Sequence, residues 1–189
     1  IPAAGASSRM RGADKLLIEI DGVALLRRTV LRALEALPQV LVTLRAGDGA
    51  RLGLVQDLPV QRLVIDDAAT GLSASLRAAA ACGQGRLMIL PADMPDLTAQ
   101  DLLGLVQASD AAPDALLRAC GEDGTPGHPV IFPADLRPAF AALQGDQGAR
   151  PLVQAHRHRV KTITLPAQNA LTDLDTPQAW QAWTQSRKV

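Results

Sequence analysis

A stretch near the start of the chain, residues 3–15, combines small side chains with positive charge. The small residues 3–5 would let backbone N–H groups approach phosphate oxygens closely, and Ser7 would add a hydroxyl donor. Arg9 and Lys15 carry positive charge at the far end of the stretch. Its spacing fits neither a Walker A loop, G-x-x-x-x-G-K-[ST], nor the dinucleotide fingerprint G-x-G-x-x-G. We interpret it as a clamp for a triphosphate, although an ordinary surface turn has a similar composition.

Acidic residues stand at two places further along the chain where they could bind a metal ion. Asp93 comes after the apolar run 87–90 and lies between two prolines, which stiffen the exit of a predicted strand. Asp173 and Asp175 come just before the last predicted helix. Ligands of open parallel sheets bind outside the carboxyl ends of the strands, and Mg²⁺ prefers a few carboxylates together with waters and phosphate oxygens. We therefore predict a Mg²⁺ site at Asp93 and one of the two later aspartates, while a helix cap remains the alternative role for each.

Length and composition narrow the class of protein. The 189 residues suit one α/β domain, with enough chain to cover both faces of a sheet. Hydrophobic residues make up 48% and aromatic residues 2%, which predicts an aliphatic core and argues against base-stacking platforms. With 19 basic and 19 acidic residues the net charge is zero, so we expect neither a nucleic-acid partner nor a membrane surface bound by bulk electrostatics.

The cysteines and apolar runs indicate the compartment. Cys82 and Cys120 form neither a disulfide framework nor a C-x-x-C pair, which is typical of thiols in a reducing environment. No apolar run reaches the length of a membrane span, and no signal region opens the chain. We therefore expect a cytoplasmic protein.

Short apolar runs alternate with helical patterns along the chain, as in βαβ units. The pattern predicts strands at 40–44, 62–65, 86–90, 115–119, 129–132 and 160–165, and helices at 23–36, 73–81, 98–109, 134–143, 149–156 and 177–184, with Thr98 as the N-cap of the third helix. Together they predict a three-layer α/β fold with a mostly parallel central sheet and a single domain over residues 1–189. Little apolar chain precedes the clamp, so we expect the first strand to be cut short.

Six segments in this order resemble the MobA-like nucleotidyltransferases, in particular their molybdenum cofactor cytidylyltransferase branch. They are A-A-G-A-S-S-R-M-R-G-A-D-K-L-L, G-L-S-A-S-L-R, P-A-D-M-P, G-H-P-V-I-F, G-D-Q-G-A-R and D-L-D-T-P. The resemblance implies a Rossmann-like fold and a Mg²⁺-bound nucleoside triphosphate. It implies attack by a phosphate oxygen of the acceptor on the α-phosphorus, with release of pyrophosphate. In this branch the acceptor is molybdopterin carrying molybdenum, and the product is molybdopterin cytosine dinucleotide.

Carried onto single residues, the resemblance implies a catalytic set of Arg9, Lys15 and Asp93, with Asp93 and Asp175 as Mg²⁺ ligands. It implies a larger binding set: Ala3, Ala4, Gly5, Ser7, Arg9 and Lys15 around base and phosphates, Gly71 and Ser75 at the base, Pro91 beside Asp93, and Gly127, His128, Pro129, Asp146, Gly148 and Arg150 facing the acceptor. For His128, a hydrogen bond to a backbone carbonyl is the alternative. Because the acceptor phosphate is already anionic, we expect positioning and charge neutralisation rather than a strong general base.

The sequence of the opening loop also indicates which nucleotide base the enzyme would accept. Guanylyl-transferring relatives typically show L-A-G-G where cytidylyl-transferring ones show L-A-A-G, and this chain has Pro2-Ala3-Ala4-Gly5. The methyl group of Ala4 leaves less room for a purine, so CTP is predicted as co-substrate. The departures from the family pattern are Pro2 in place of leucine and the inserted Arg11, which leave the path of residues 10–14 open.

Other functions remain open at this stage. A nucleotidyltransferase for a sugar or polyol phosphate, or a GTP-using guanylyltransferase, would share the clamp and Asp93. A non-catalytic module that binds or delivers molybdenum cofactor is the alternative from another class. A receiving molybdoenzyme of the xanthine dehydrogenase type, or its maturation factor, is the expected protein partner. His156 and His158 have a spacing better explained by a solvated face than by a zinc site.

Overall fold

The computed structural model of the chain describes residues 1–7, 10 and 13–187. Its strands are β1 (Pro2–Ala3), β2 (Glu19–Ile20), β3 (Val23–Ala24), β4 (Leu41–Arg45), β5 (Gln61–Ile65), β6 (Leu87–Ile89), β7 (Leu116–Cys120), β8 (Pro126–Phe132) and β9 (Val160–Thr164). Its α-helices are α1 (Leu25–Ala36), α2 (Gly49–Gly53), α3 (Leu72–Ala81), α4 (Ala99–Ala111), α5 (Arg150–Ala155) and α6 (Pro177–Ser186). Short 3-10 helices cover Lys15–Leu17, Ala68–Thr70, Ala134–Ala142 and Arg157–Arg159.

Two groups of strands carry the fold. Strands β1, β4 and β5 form a parallel sheet in the order β1-β4-β5, and the second sheet has the order β6-β8-β7-β9. In the second sheet β7 and β9 are parallel, and β8 runs antiparallel to both of its neighbours. The two sheets share one buried aliphatic core, to which Val42 and Leu44 contribute from β4 and Leu117 and Ile131 from the second sheet. This is the predicted α/β architecture with parallel strands at its centre.

Most predicted elements lie within two residues of their expected ends, because strong local signals mark them. Thr98 caps α4, as expected, and forms a capping box with Asp101. The predicted helix 23–36 instead begins at Leu25, because the two residues before it pair with β2 in a small hairpin. Asp21 and Gly22 make its turn with φ angles of 53° and 77°, conformations that a D-G pair favours.

The last helix packs against this hairpin through its two tryptophans. Trp180 is buried in a cluster with Ile20 and Leu25, and its ring meets Trp183 edge-on at 6.0 Å between centroids. The indole N–H of Trp183 donates to Asp96 at 2.8 Å. These contacts hold the start of α6, and therefore the preceding Asp175, over the loop that follows β6.

Arg32 on α1 contacts the loop that follows β6. It is half-buried, and its guanidinium donates to the carbonyl oxygens of Pro95 at 2.7 Å and Leu97 at 2.5 Å. Arg32 therefore fixes the loop that carries Asp93. Elsewhere, Cys82 and Cys120 are free thiols, and none of the helices in the described ranges is long and apolar enough to cross a membrane.

Candidate active site

A cavity of about 990 Å³ lies where β1 and β6 end and β8 begins. Most of the predicted site residues in the described part of the chain line it: Ala3, Ala4, Gly5, Ser7, Lys15, Gly71, Ser75, Pro91, Asp93, His128, Asp146, Gly148, Arg150 and Asp175. Gly127 and Pro129, which were also predicted to face the acceptor, are not among the lining residues. Arg9 lies outside the described residues. The tertiary structure thus brings six separate segments of the sequence to one site.

The clamp loop is shaped by Arg51, which is almost completely buried, with 1% of its surface exposed. Its Nε and Nη2 donate to the two carboxylate oxygens of Asp14 at 2.7 and 2.8 Å. Its Nη1 donates to the carbonyl oxygens of Ala3 at 2.6 Å and Gly5 at 2.7 Å, and Nη2 also reaches the hydroxyl of Ser7 at 3.1 Å. One guanidinium therefore fixes the direction of the carbonyl groups on both sides of Ala4.

Asp14 links this loop to the lysine. Its carboxylate accepts from the hydroxyl of Ser7 at 3.0 Å and from the backbone N–H of Leu16 at 3.1 Å, which caps the short helix that begins at Lys15. Burial raises the pKa of Asp14, but the hydrogen bonds from Arg51 and Leu16 outweigh it, so the pKa lies below its usual range. Asp14 is therefore held as a carboxylate, and as the N-cap it fixes the start of the short helix at Lys15.

Lys15 joins the two carboxylates predicted to bind metal. Its Nζ donates to Oδ2 of Asp93 and to Oδ1 of Asp175. Burial lowers the pKa of Lys15, yet the two carboxylates more than compensate, and the net shift is upward. Burial raises the pKa of Asp173, and the neighbouring charges of Asp175 and Asp93 raise it further. The acidic end of the cavity thus has a fixed ammonium group between two of its carboxylates.

The donor set fits a divalent cation that substrate oxygens complete. Among the described residues, no three or more histidine, cysteine, aspartate or glutamate side chains are grouped so that they could hold a metal ion by themselves. His156 and His158 therefore belong to no such group. Asp93 and Asp175 supply two carboxylates close enough to share one ammonium. Mg²⁺ typically takes one or two carboxylates and fills its octahedron with waters and phosphate oxygens. The two aspartates suit that chemistry.

The wall on the α3 side requires a glycine. Gly71 has φ +100°, and a Cβ there would lie 2.5 Å from Oδ1 of Asp146 and 2.6 Å from the carbonyl carbon of Gly145. That same Asp146 oxygen accepts from the N–H of Leu72 at 3.0 Å, so Asp146 caps α3 as well as lining the cavity. Ser75, one helical turn further, is buried with 3% exposed. The close approach of the 145–146 backbone therefore closes this side of the cavity.

The opposite wall carries His128 and two arginines. The N–H of His128 donates to the carbonyl of Ala170 at 2.9 Å, and a Cβ on Gly127 would lie 2.0 Å from that same oxygen. The side-chain Nδ1 of His128 is buried and has no hydrogen-bond partner among the described residues, so it does not bond a backbone carbonyl there. Burial, and then the charge of Arg118, lower the pKa of His128. Arg118 and Arg150 line the cavity beside it.

Comparison with known proteins identifies the family. Residues 1–160 match the MobA-like NTP transferase domain. The chain belongs to this family. A molybdenum cofactor guanylyltransferase from Shewanella sp. (strain ANA-3) is 28% identical over 191 residues, which cover 96% of this chain and 91% of the relative.

Solved structures share the fold. Rv0371c from Mycobacterium tuberculosis H37Rv superimposes with a TM-score of 0.82 at 25% identity, covering 97% of this chain and 95% of that chain. The structure of Rv0371C in complex with manganese, also from Mycobacterium tuberculosis H37Rv, superimposes with a TM-score of 0.79 at 24% identity. The match covers 98% of this chain and 96% of that chain. The MobA-like chain is therefore an enzyme with the nucleotidyltransferase fold. Asp175 lies beyond the matched residues, yet it shares Lys15 with Asp93.

Sequence reasoning missed Arg51, Asp14 and Arg118 in this MobA-like enzyme. Asp14 precedes Lys15 and has the residue type of a helix cap, a signal that was available. Arg118 interrupts an apolar strand, which was a second signal, because a charge in a buried strand requires an explanation. Arg51 lies in a helix of five residues, α2, and nothing local marks it as buried.

Proposed function

We propose that this MobA-like enzyme transfers CMP from Mg²⁺-bound CTP to the phosphate of a molybdopterin-type acceptor and releases pyrophosphate. The observation that carries the proposal is the acidic end of the cavity, where Lys15 contacts both Asp93 and Asp175 next to the clamp loop. A non-catalytic delivery module would not require two carboxylates that contact the same lysine. The name of the Shewanella relative supports molybdenum cofactor as the acceptor class.

The residues divide the work in a defined way. The loop held by Arg51 presents the backbone N–H groups of residues 4–7 to the triphosphate, and Lys15 brings positive charge to the same end of the cavity. When bound by Asp93 and Asp175, Mg²⁺ would neutralise phosphate charge as it develops in the transition state. Arg9 would add a second cation, as the family resemblance implies. No side chain needs to remove a proton, because the nucleophile is an anionic phosphate oxygen.

The choice of CTP rests on Ala4. This residue is buried with 4% exposed and lines the cavity, and the carbonyl oxygens of its neighbours on both sides accept hydrogen bonds from the Arg51 guanidinium. The loop therefore has little freedom to move its methyl group away from a purine. GTP is the second candidate, because the Shewanella relative is named a guanylyltransferase.

The test is a transfer assay with a panel of acceptors. Purified protein is incubated with Mg²⁺, CTP or GTP, and molybdopterin, a sugar phosphate or a polyol phosphate, and pyrophosphate release and product mass are measured. We expect pyrophosphate and a cytidylylated pterin, and neither from Asp93→Asn. Guanylylated pterin as the main product would overturn the choice of CTP. Product only from a sugar or polyol phosphate would overturn the acceptor, and no pyrophosphate with any pair would leave the delivery function.

A further inference from the structure

The ammonium group of Lys15 lies between the two carboxylates at the acidic end of the cavity. Its Nζ donates to Oδ2 of Asp93 and to Oδ1 of Asp175. Because one nitrogen contacts both oxygens, these two oxygens face the same point, and the ammonium group occupies it. The side chains of Lys15 and Asp93 are each only 16% exposed, so water screens their attraction in part. A cation shared by the two aspartates would have to lie where the ammonium group lies.

The spacing of the two carboxylates is set by backbone contacts. The N–H of Leu174, directly before Asp175, donates to the carbonyl oxygen of Asp93 at 3.1 Å, and the Leu174 side chain is completely buried. The buried hydroxyl of Thr29 on α1 donates to the carbonyl oxygen of Ala92 at 3.1 Å, directly before Asp93. The fold therefore holds both aspartates in place by contacts that do not involve Lys15.

Lys15 has a fixed backbone and a side chain that can change partners. Asp14 caps the short helix that begins at Lys15, and the next residue, Leu16, is buried with 4% exposed. The lysine side chain is a flexible stem that carries a compact charge. Gly5 and Ser7 of the clamp loop line the same cavity as Lys15. Rotation of the stem can therefore carry the ammonium group from the carboxylates towards phosphate oxygens at the clamp loop, while the backbone stays in place.

The acidic end has more negative charge than Lys15 neutralises. Burial raises the pKa of Asp173, the charges of Asp175 and Asp93 raise it further, and the charge of Lys15 acts in the opposite direction. Three aspartates thus lie within electrostatic reach of one ammonium group. Removing that group would strengthen the attraction of the acidic end for another cation.

We propose that the Lys15 ammonium group keeps the position between Asp93 and Asp175 closed to a divalent cation until a triphosphate is bound. The inference rests on the proposed transfer reaction and adds the order in which its site is filled. Phosphate oxygens give the ammonium group new anionic partners, so Lys15 turns from the carboxylates to the nucleotide. The two carboxylates then accept the divalent cation that enters with the triphosphate. Cation and nucleotide therefore favour each other's binding, and Lys15 couples them.

The first measurement uses Mn²⁺ alone as the probe of this position. Binding is followed by the loss of the EPR signal of free Mn²⁺ at fixed pH and ionic strength. Lys15→Met removes the charge and keeps the length of the side chain. The matched control is Lys161→Met, which changes an exposed lysine that does not line the cavity. We expect Lys15→Met to bind Mn²⁺ at least about tenfold more tightly than wild type, and Lys161→Met to bind it equally.

The second measurement uses the complex of Mn²⁺ with α,β-methylene-CTP, which cannot transfer CMP. Its affinity is measured by calorimetry without an acceptor. Here we expect the opposite effect, with Lys15→Met binding at least about tenfold more weakly than wild type, because the phosphates lose a cation. A purely structural role of Lys15 would not strengthen one affinity while weakening the other.

The outcomes separate this inference from the proposed function. Lys15→Gln, whose amide can still donate to a carboxylate, takes the place of Lys15→Met if that variant does not fold. A Mn²⁺ affinity of the Lys15 variant no higher than that of wild type would overturn the inference while transferase activity stands. Equal or tighter binding of the nucleotide complex by the variant would also overturn it, because Lys15 would then not turn to the phosphates. Tighter Mn²⁺ binding by the variant, with no binding of the nucleotide complex to wild type, would support exclusion of the cation by Lys15 and overturn the proposed function.

Discussion

Replacing Arg51 by methionine would remove the group that shapes the clamp loop while keeping an apolar stem of similar length. Among the described residues, the wild-type guanidinium makes five hydrogen bonds: two to the carboxylate of Asp14 and one each to Ala3, Gly5 and Ser7. In the variant, the carbonyl of the buried Ala3 loses its arginine donor, and Asp14 keeps its charge without its main partner. The loss therefore combines an unpaired charge with an unsatisfied buried carbonyl.

The size of the effect follows from burial. Removing one partner of a buried ion pair costs about 3–5 kcal/mol. The Asp14 side chain is 25% exposed, so water reaches its carboxylate and we expect the lower end of that range. In a domain of this size each kcal/mol shifts the melting temperature by about 2–4 °C, so a loss of about 3 kcal/mol corresponds to roughly 6–12 °C. The affinity for Mg²⁺-CTP should fall as well, because the loop that presents its backbone N–H groups loses its anchor.

Urea denaturation followed by circular dichroism measures the free energy of unfolding, and calorimetric titration measures the affinity for Mg²⁺-CTP. Arg62→Met is the matched control and should change the unfolding free energy by no more than about 0.5 kcal/mol, since Arg62 is exposed. The double variant Arg51→Met/Asp14→Asn should lose less free energy of unfolding than the two single variants lose together, because it no longer contains an unpaired carboxylate at residue 14. An Arg51→Met protein within about 1 kcal/mol of wild type, with unchanged nucleotide affinity, would refute the reasoning.

Four further outcomes are expected. Asp93→Asn should lower turnover by orders of magnitude in a folded protein, since an amide cannot neutralise Mg²⁺; normal turnover with an unchanged Mg²⁺ requirement would argue against the metal role. Lys15→Ala should weaken CTP binding, measured by calorimetry, by about 1.5–3 kcal/mol, whereas Arg27→Ala should leave it unchanged. Equal CTP affinities of the two variants would contradict the assignment of the clamp. Ala4→Gly should relax the rejection of GTP only in part, because one methyl group is worth about 1–3 kcal/mol; kcat/KM for both nucleotides decides this. The pKa of His128 lies below 6.5 in the folded protein, so the unfolded chain takes up this proton more readily than the folded chain as the pH falls from 7 towards 5. The free energy of unfolding should therefore fall over that window in wild type but less in His128→Gln.

Local signals were enough to predict most of the framework. The apolar run of β6 followed by Pro91 and Asp93, and the Thr98 cap of α4, are statements about neighbouring residues, and the structure shows them where they were expected. The hairpin at Asp21 and Gly22 was missed although its D-G turn was present, because strands of two residues each are too short to give a recognisable strand pattern. Short strands of this kind depend on what packs over them, here α6.

By itself the sequence determined the order of the elements, the family resemblance and the set of side chains able to bind phosphate and metal. Only the tertiary structure decided how these side chains pair. Lys15 meets Asp93 and Asp175 because three distant segments end at one cavity, and Arg51 is buried because α2 places it under the clamp loop. Arg118 bonds the carbonyl oxygens of Gly127 and Pro126 because β8 pairs beside it in the second sheet. Whether a charge is solvated, paired or left for a ligand depends on partners far away in sequence, and local patterns carry no information about them.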